Sequence, residues 1–170
     1  EKEVVEGQNV GSGAAEFGMY IATGLLIAGS VAGEGGGPDT AAAFFGMGLA
    51  LLILFALFYQ LTTSFDMHSE IENNNTAVGI ALGGNLIAIG LVTFKAVFGD
   101  FDGWNEGVAA FITFGVIGFA LLYVMRLLLD KMLLPTVSTS KAIAVDRNLG
   151  VAFIESAVVI SSALILFIAI

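Results

Sequence analysis

Four stretches of this chain are long and apolar enough to decide its fold before any other feature is weighed. Thr40 to Phe65 carries no charged side chain over 26 residues, Asn73 to Phe94 none over 22, and Gly107 to Met125 none over 19. Leu149 to Ile170 is interrupted only by Glu155. A helix rising about 1.5 Å per residue needs about 20 predominantly apolar residues to cross the hydrocarbon core of a bilayer. Each stretch therefore predicts a transmembrane helix. A fifth, Phe17 to Gly33, is shorter and richer in glycine, and it reads either as an extra N-terminal span or as a re-entrant or interfacial helix. The acidic EKEVVEG before it is unlike the basic start of a secretory signal.

Composition agrees with lipid as the solvent. Hydrophobic residues make up 57% of the 170 residues and charged residues 12%, against about a quarter charged in an ordinary soluble domain. The expected fold is all-α, a polytopic transmembrane helical bundle of four spans plus the N-terminal one. Its parts are an extension over 1–39, a two-span unit over 40–99 and a second over 100–170. The net charge of −9 excludes nucleic acid as a partner, because phosphate binding needs clustered Lys and Arg. With no cysteine and a single histidine, His68, the chain offers no thiolate or His-rich metal site. No cofactor is expected. His68 itself reads as a solvated loop residue.

Lys and Arg set the expected orientation. With alternating spans, Lys2, Arg126, Lys131, Lys141 and Arg147 share one side and Lys95 lies near the other. Segments 66–75 and 130–148 are therefore expected in the cytoplasm. The acidic loops GEGGGPD (33–39) and GDFDGWNEG (99–107) are expected outside, with Trp104, Phe98 and Phe101 in an interfacial aromatic belt. The GEGGGP run lacks the lysine and the strand–loop–helix setting of a phosphate cradle. Arg126 and Asp130, four apart, can meet on one helix face.

The two units repeat. FALFY (55–59) recurs as FALLY (119–123), and NNTAVGIALGG (74–84) aligns with RNLGVAFIESA (147–157), pairing Asn75 with Asn148 and Val78 with Val151. Both units enter from the same side, so the repeat is parallel. Asn73 to Thr76 stand where a span begins: Asn74, Asn75 and Thr76 in the first copy and Asn148 in the second are expected to cap the first backbone N–H groups. Those groups find no water inside lipid.

This cap-and-span pattern, carried by EIENNNTAVGIALGGNLIAIGL (70–91) and DRNLGVAFIESAVVISSAL (146–164), resembles the DUF350 family of bacterial inner-membrane proteins. The resemblance covers about residues 40–170. The second copy departs from it in its acidic-to-Asn spacing and in the PTVSTS insertion, and the first 39 residues lie outside the four-span pattern. It implies a multi-pass protein of a bacterial inner membrane and brings no assigned activity.

Glu155 lies seven residues past Asn148, roughly 10 Å into the bilayer. A carboxyl there must face the bundle interior, pair, or stay protonated. Asn85 is ten residues past Asn75, at roughly 15 Å, and can reach Glu155 if the two spans pack together. The pair reads as an ion or proton site, or as a hydrogen bond joining helices. Small residues at helical spacing, among them Gly79 with Gly83 and Gly46 with Ala42 and Ala50, mark faces for close helix packing, within the chain or between subunits. No nucleophile–base pair, HExxH or GxSxG is present, so the chain is not read as an enzyme. Two functions remain: a scaffold or subunit of a larger membrane assembly, with lipid and a homo-oligomer or other membrane subunits as partners, or a small ion or proton channel or transporter using Glu155 and Asn85.

Overall fold

The computed structural model describes residues 2–128 and 138–169. After a short wide turn at Lys2–Glu6 come α1 (Val10–Val31), α2 (Pro38–Thr62), α3 (Met67–Glu72), α4 (Thr76–Val97), α5 (Trp104–Leu128), α6 (Thr139–Ala144) and α7 (Leu149–Ala169). Among the described residues, five helices (α1, α2, α4, α5 and α7) are long and apolar enough to cross a bilayer. The fold is an all-α polytopic bundle.

The N-terminal span is a full one. It begins at Val10, seven residues before the expected Phe17, and at 22 residues it reaches about 33 Å. The reason is Asn9. Its Oδ1 accepts the Ser12 N–H at 3.0 Å, which starts the helix ahead of Gly11, Ser12, Gly13 and Glu16, residues that dilute the apolar signal. The two polar connections are also more than loops. Asp66 caps the short α3, accepting from His68 N at 3.0 Å, and Ser138 caps α6. His68 pairs with Glu72 at 3.0 Å on the exposed face of α3. Asp130 and Lys131 lie outside the described residues, and with them the expected meeting of Arg126 and Asp130.

Helix α4 is the centre. Fourteen of its 22 residues are buried, because it is flanked by α1, α7, α5 and α2. Helices α1, α4 and α7 run parallel, and α2 and α5 return between them. Neighbours in lipid gain nothing from hydrophobic burial, so they must gain from van der Waals contact at short range. The sequence supplies that range with small residues. A Cβ built on Gly18 would collide with the Gly83 backbone, and one on Gly79 with the Gly11 backbone. One on Gly90 would lie 2.7 Å from Ala22 Cα, and one on Gly29 3.0 Å from the Phe94 carbonyl oxygen. Gly79 and Gly83 thus pack within the chain. Gly46 does not: it is exposed on α2 with nothing within 4 Å of its Cβ direction, and Ala42 and Ala50 share that open face.

At the far end, Gly33 (φ +109) and Gly35 (φ +81) bend the 33–37 loop against Gly99 and Phe101. Asp100 Oδ1 accepts the Glu34 N–H at 2.8 Å, so this acidic group serves as a loop clamp. Trp104 stacks on Phe44 with centroids 6.3 Å apart, and Phe101 meets Trp104 edge-on at 5.3 Å. Together these loops border a cavity of about 270 Å³.

Gly18→Leu should force α1 off α4 and lower stability by about 3 kcal/mol or more, above the usual cost of overpacking because backbone cannot yield as side chains do. Gly46→Leu, on the open face, should leave it unchanged. Thermal unfolding of both variants in mild detergent distinguishes them.

Candidate functional site

The parallel spans open with one recurring device. In each of the three, an Asn caps the helix and the residue before it has positive φ: Gln8 (49°), Asn74 (57°) and Arg147 (50°). Asn9, Asn75 and Asn148 are the caps, accepting from Ser12 N, Val78 N (3.3 Å) and Val151 N (3.2 Å). Asn74 and Thr76 do not cap. Asn74 is the left-handed residue that turns the chain, and Thr76 is the first residue of α4. The left-handed region is sparsely allowed for non-glycine residues, and Asn tolerates it best.

The amide ends of these caps join the bundle end together. Asn9 Nδ2 donates to the Ile71 carbonyl at 2.7 Å, on the last turn of α3. Fully buried Asn75 donates to the Ala144 carbonyl at 3.0 Å, on the last turn of α6, and to Glu70 Oε2 at 2.8 Å. Each cap thus holds the short helix that precedes the next parallel span. Residues 2–9, 66–75 and 138–148 consequently share one end of the bundle.

About 10 Å beyond the caps by helical rise sits the buried carboxyl. Glu155 is 1% exposed. Its Oε1 accepts from Tyr59 Oη at 2.9 Å and from Asn85 Nδ2 at 3.3 Å, while Asn85 Nδ2 also donates to the Ala81 carbonyl at 2.9 Å. Three spans, α2, α4 and α7, therefore meet on one carboxyl oxygen. No basic side chain among the described residues forms an ion pair with it. At the next residue, Ser156 Oγ donates to the Ile80 carbonyl at 3.0 Å, a second polar tie between α7 and α4. None of the cavities at the outer end, beside Lys95 or between α1 and α7 is bordered by Glu155, Asn85 or Tyr59. Chemically, the arrangement joins helices. Lys95, at the outer end, lies over the Phe167 ring at 5.8 Å.

Sequence reasoning placed Glu155 and Asn85 and missed Tyr59, although FALFY had been matched to FALLY. It also missed that the chain's first residues repeat the third entrance. KEVVEGQNVGSGAAE (2–16) matches KAIAVDRNLGVAFIE (141–155) at Lys2/Lys141, Asn9/Asn148, Gly11/Gly150 and Glu16/Glu155. The backbone agrees: Asn9 N donates to Glu3 O at 3.0 Å and Asn148 N to Ala142 O at 2.9 Å, the same six-residue step.

Such a fold, with parallel spans stacked through small residues and joined by a buried hydrogen-bonded carboxyl, defines a multi-pass α-helical membrane protein. The model of the family described as Domain of Unknown Function (DUF350) matches residues 35–170, and the chain belongs to that family. It is 28% identical over 114 residues to the UPF0719 transmembrane protein YshE of Bacillus subtilis (strain 168), a match covering 67% of this chain and 80% of that protein. No solved structure matches.

Tyr59→Phe removes one donor from Glu155 and should lower stability by about 0.5–1.5 kcal/mol, as interhelical hydrogen bonds in lipid do. Glu155→Ala strands both donors and leaves a void, and should cost about 2–4 kcal/mol. Unfolding in detergent checks the order of the two.

Proposed function

We propose that the protein is a non-enzymatic scaffold or subunit of a larger membrane assembly in a bacterial inner membrane, with residues 66–75 and 138–148 on the cytoplasmic side. The observation that supports this reading is the enclosure of Glu155, the one deeply buried carboxyl among the described residues. An ion or proton site must exchange its occupant with water along a polar route, such as a water-filled cavity that reaches the carboxyl. Glu155 instead has its Oε1 taken up by Tyr59 and Asn85, under fully packed Val159 and Ala152. A hydrogen-bonded carboxyl of this kind fixes the register of three spans and leaves their outer faces for partners. Those faces are extensive: Phe17, Tyr20, Leu54, Leu57, Val116 and Ile165 are among the exposed apolar side chains. The basic side chains near the cap end favour the cytoplasmic side for it.

The test is transport. Purified protein in liposomes under a proton or potassium gradient should show no flux above empty vesicles, and Glu155→Gln, which keeps an acceptor for both donors, should still fold and co-purify with the same assembly. Flux that disappears in Glu155→Gln would replace the scaffold reading with a conducting one.

A further inference from the structure

The packing of α1 on α4 is repeated by α4 on α7, position for position. Positions on α1, α4 and α7 correspond at offsets of 66 and 73 residues, as Asn9, Asn75 and Asn148 do. In the first pair Gly18 meets the Gly83 backbone; in the second, their equivalents Gly84 and Ser156 meet. Gly29 packs on Phe94, and their equivalents Lys95 and Phe167 pair as well. Ala22 lies against Gly90, and the equivalents Ala88 and Ala163 are both fully buried. Helices α2 and α5, matched through FALFY and FALLY, bridge the first and the second pair in turn. The three parallel helices form an arc. Its concave side holds a cavity of about 420 Å³, bordered by equivalent residues from each: Ala14, Ile80 and Phe153 at one position, Phe17, Gly83 and Ser156 at another.

An arc built by one repeated step ends in two unmatched faces, and these two fit each other. On α7 the face that α1 and α4 bury against their neighbours is Gly150, Ala157 and Ser161, all exposed. On α1 the receiving face includes Gly13 and Gly24, and a Cβ on either meets nothing within 4 Å. Polar groups are left open in the same register. Asn9 and Asn75 each hold a carbonyl of the following short helix, whereas exposed Asn148 makes no hydrogen bond through Nδ2 among the described residues. Its equivalent acceptor, by the same offsets, is the Val5 carbonyl in the turn before α1, and Val5 is 69% exposed. Glu16 is the equivalent of Glu155, and it is half-buried on α1 with one long contact, 3.4 Å from Tyr20 Oη. Tyr123 is the equivalent of Tyr59, and it is 39% exposed on α5. A carboxyl and a tyrosine that meet inside the chain at one level are thus both left unmatched one step further along.

We infer that copies of this chain assemble head to tail, α7 of one packing on α1 of the next by the internal step, so that Tyr123 of one copy donates to Glu16 of the other and Asn148 takes the Val5 carbonyl. A second copy, and no other occupant, matches both faces at once. The interface is heterologous, so it propagates the arc into a ring or an open row. Phe17 is bulkier than its equivalents Gly83 and Ser156, so the step between copies is wider at that level than the steps within one. The inference rests on the scaffold reading and names the assembly as made at least in part of this chain.

The chain has no cysteine, so introduced thiols report alone. Ser161 and Gly24 are the equivalents of Ala22 and Gly90, which touch within the chain, and both are exposed in the single copy. Membranes containing a mixture of Ser161→Cys and Gly24→Cys copies, treated with a short bifunctional thiol reagent, should yield a cross-linked heterodimer, and neither variant alone should. The double variant should give bands beyond the dimer. Cross-linking within one variant alone would mean face-to-face pairing, and no cross-linking in the mixture would mean no such contact; either overturns the inference. In mild detergent, Tyr123→Phe and Glu16→Leu should each weaken the oligomer by about three- to tenfold in Kd, a range set by interhelical hydrogen bonds. The double variant should lose little more than either single one. Additive losses, or an unchanged mass for both, count against the pairing. A monomer that conducts no ions sinks self-assembly and leaves the scaffold reading standing; gradient-driven flux sinks the scaffold reading whatever the cross-links show.

Discussion

Everything in this molecule follows from how closely backbone can approach backbone at α4. Apolar side chains are no better off against one another than against lipid tails, so association of spans depends on the density of short-range contact and on polar groups that have nowhere else to go. Gly18 on Gly83, Gly79 on Gly11 and Gly84 on Ser156 bring helices together at a distance that larger side chains would forbid. Only at that separation can Ser156 reach the Ile80 carbonyl and Asn85 reach Glu155. The glycines come first, and the hydrogen bonds are their consequence.

The polar groups then fix register. A face of small residues alone would tolerate sliding by a turn, because one glycine ridge resembles the next. Two classes of tie remove that freedom. At the membrane surface, Asn9 and Asn75 satisfy the start of their own helix with one end and a neighbouring helix terminus with the other, so a slip would break both. Deeper, Glu155 gathers Tyr59 and Asn85. In lipid an unmatched polar group has no water to turn to, which makes each tie a strong selector of one arrangement even where its net contribution is modest.

The same logic makes the chain's outer faces informative. Because one step joins three helices in series, the ends of the series leave open what the middle covers, and half-buried Glu16 and exposed Tyr123 and Asn148 are the polar residues left there. A helix that carries an ionisable side chain at membrane depth, with a single long contact inside its own chain, is a poor lipid-facing surface. It is the receiving surface in the head-to-tail assembly inferred above.

By itself the sequence determined the solvent and the four long spans, and it singled out Glu155 and Asn85 as polar groups at membrane depth. Each of these depends on local sums of side-chain polarity or on short identities that survive without knowledge of contacts. Tertiary structure decided the rest. The first span looked marginal because glycine reads alike whether it marks a loop or a close helix crossing, and only the contact with α4 tells them apart. Tyr59 looked like one more aromatic in an apolar run until α2 carried its hydroxyl to Glu155. Gly46 and Gly83 have the same spacing pattern, yet one faces outward and the other touches backbone, because the side a helix presents to its neighbours is set by the packing of the whole bundle.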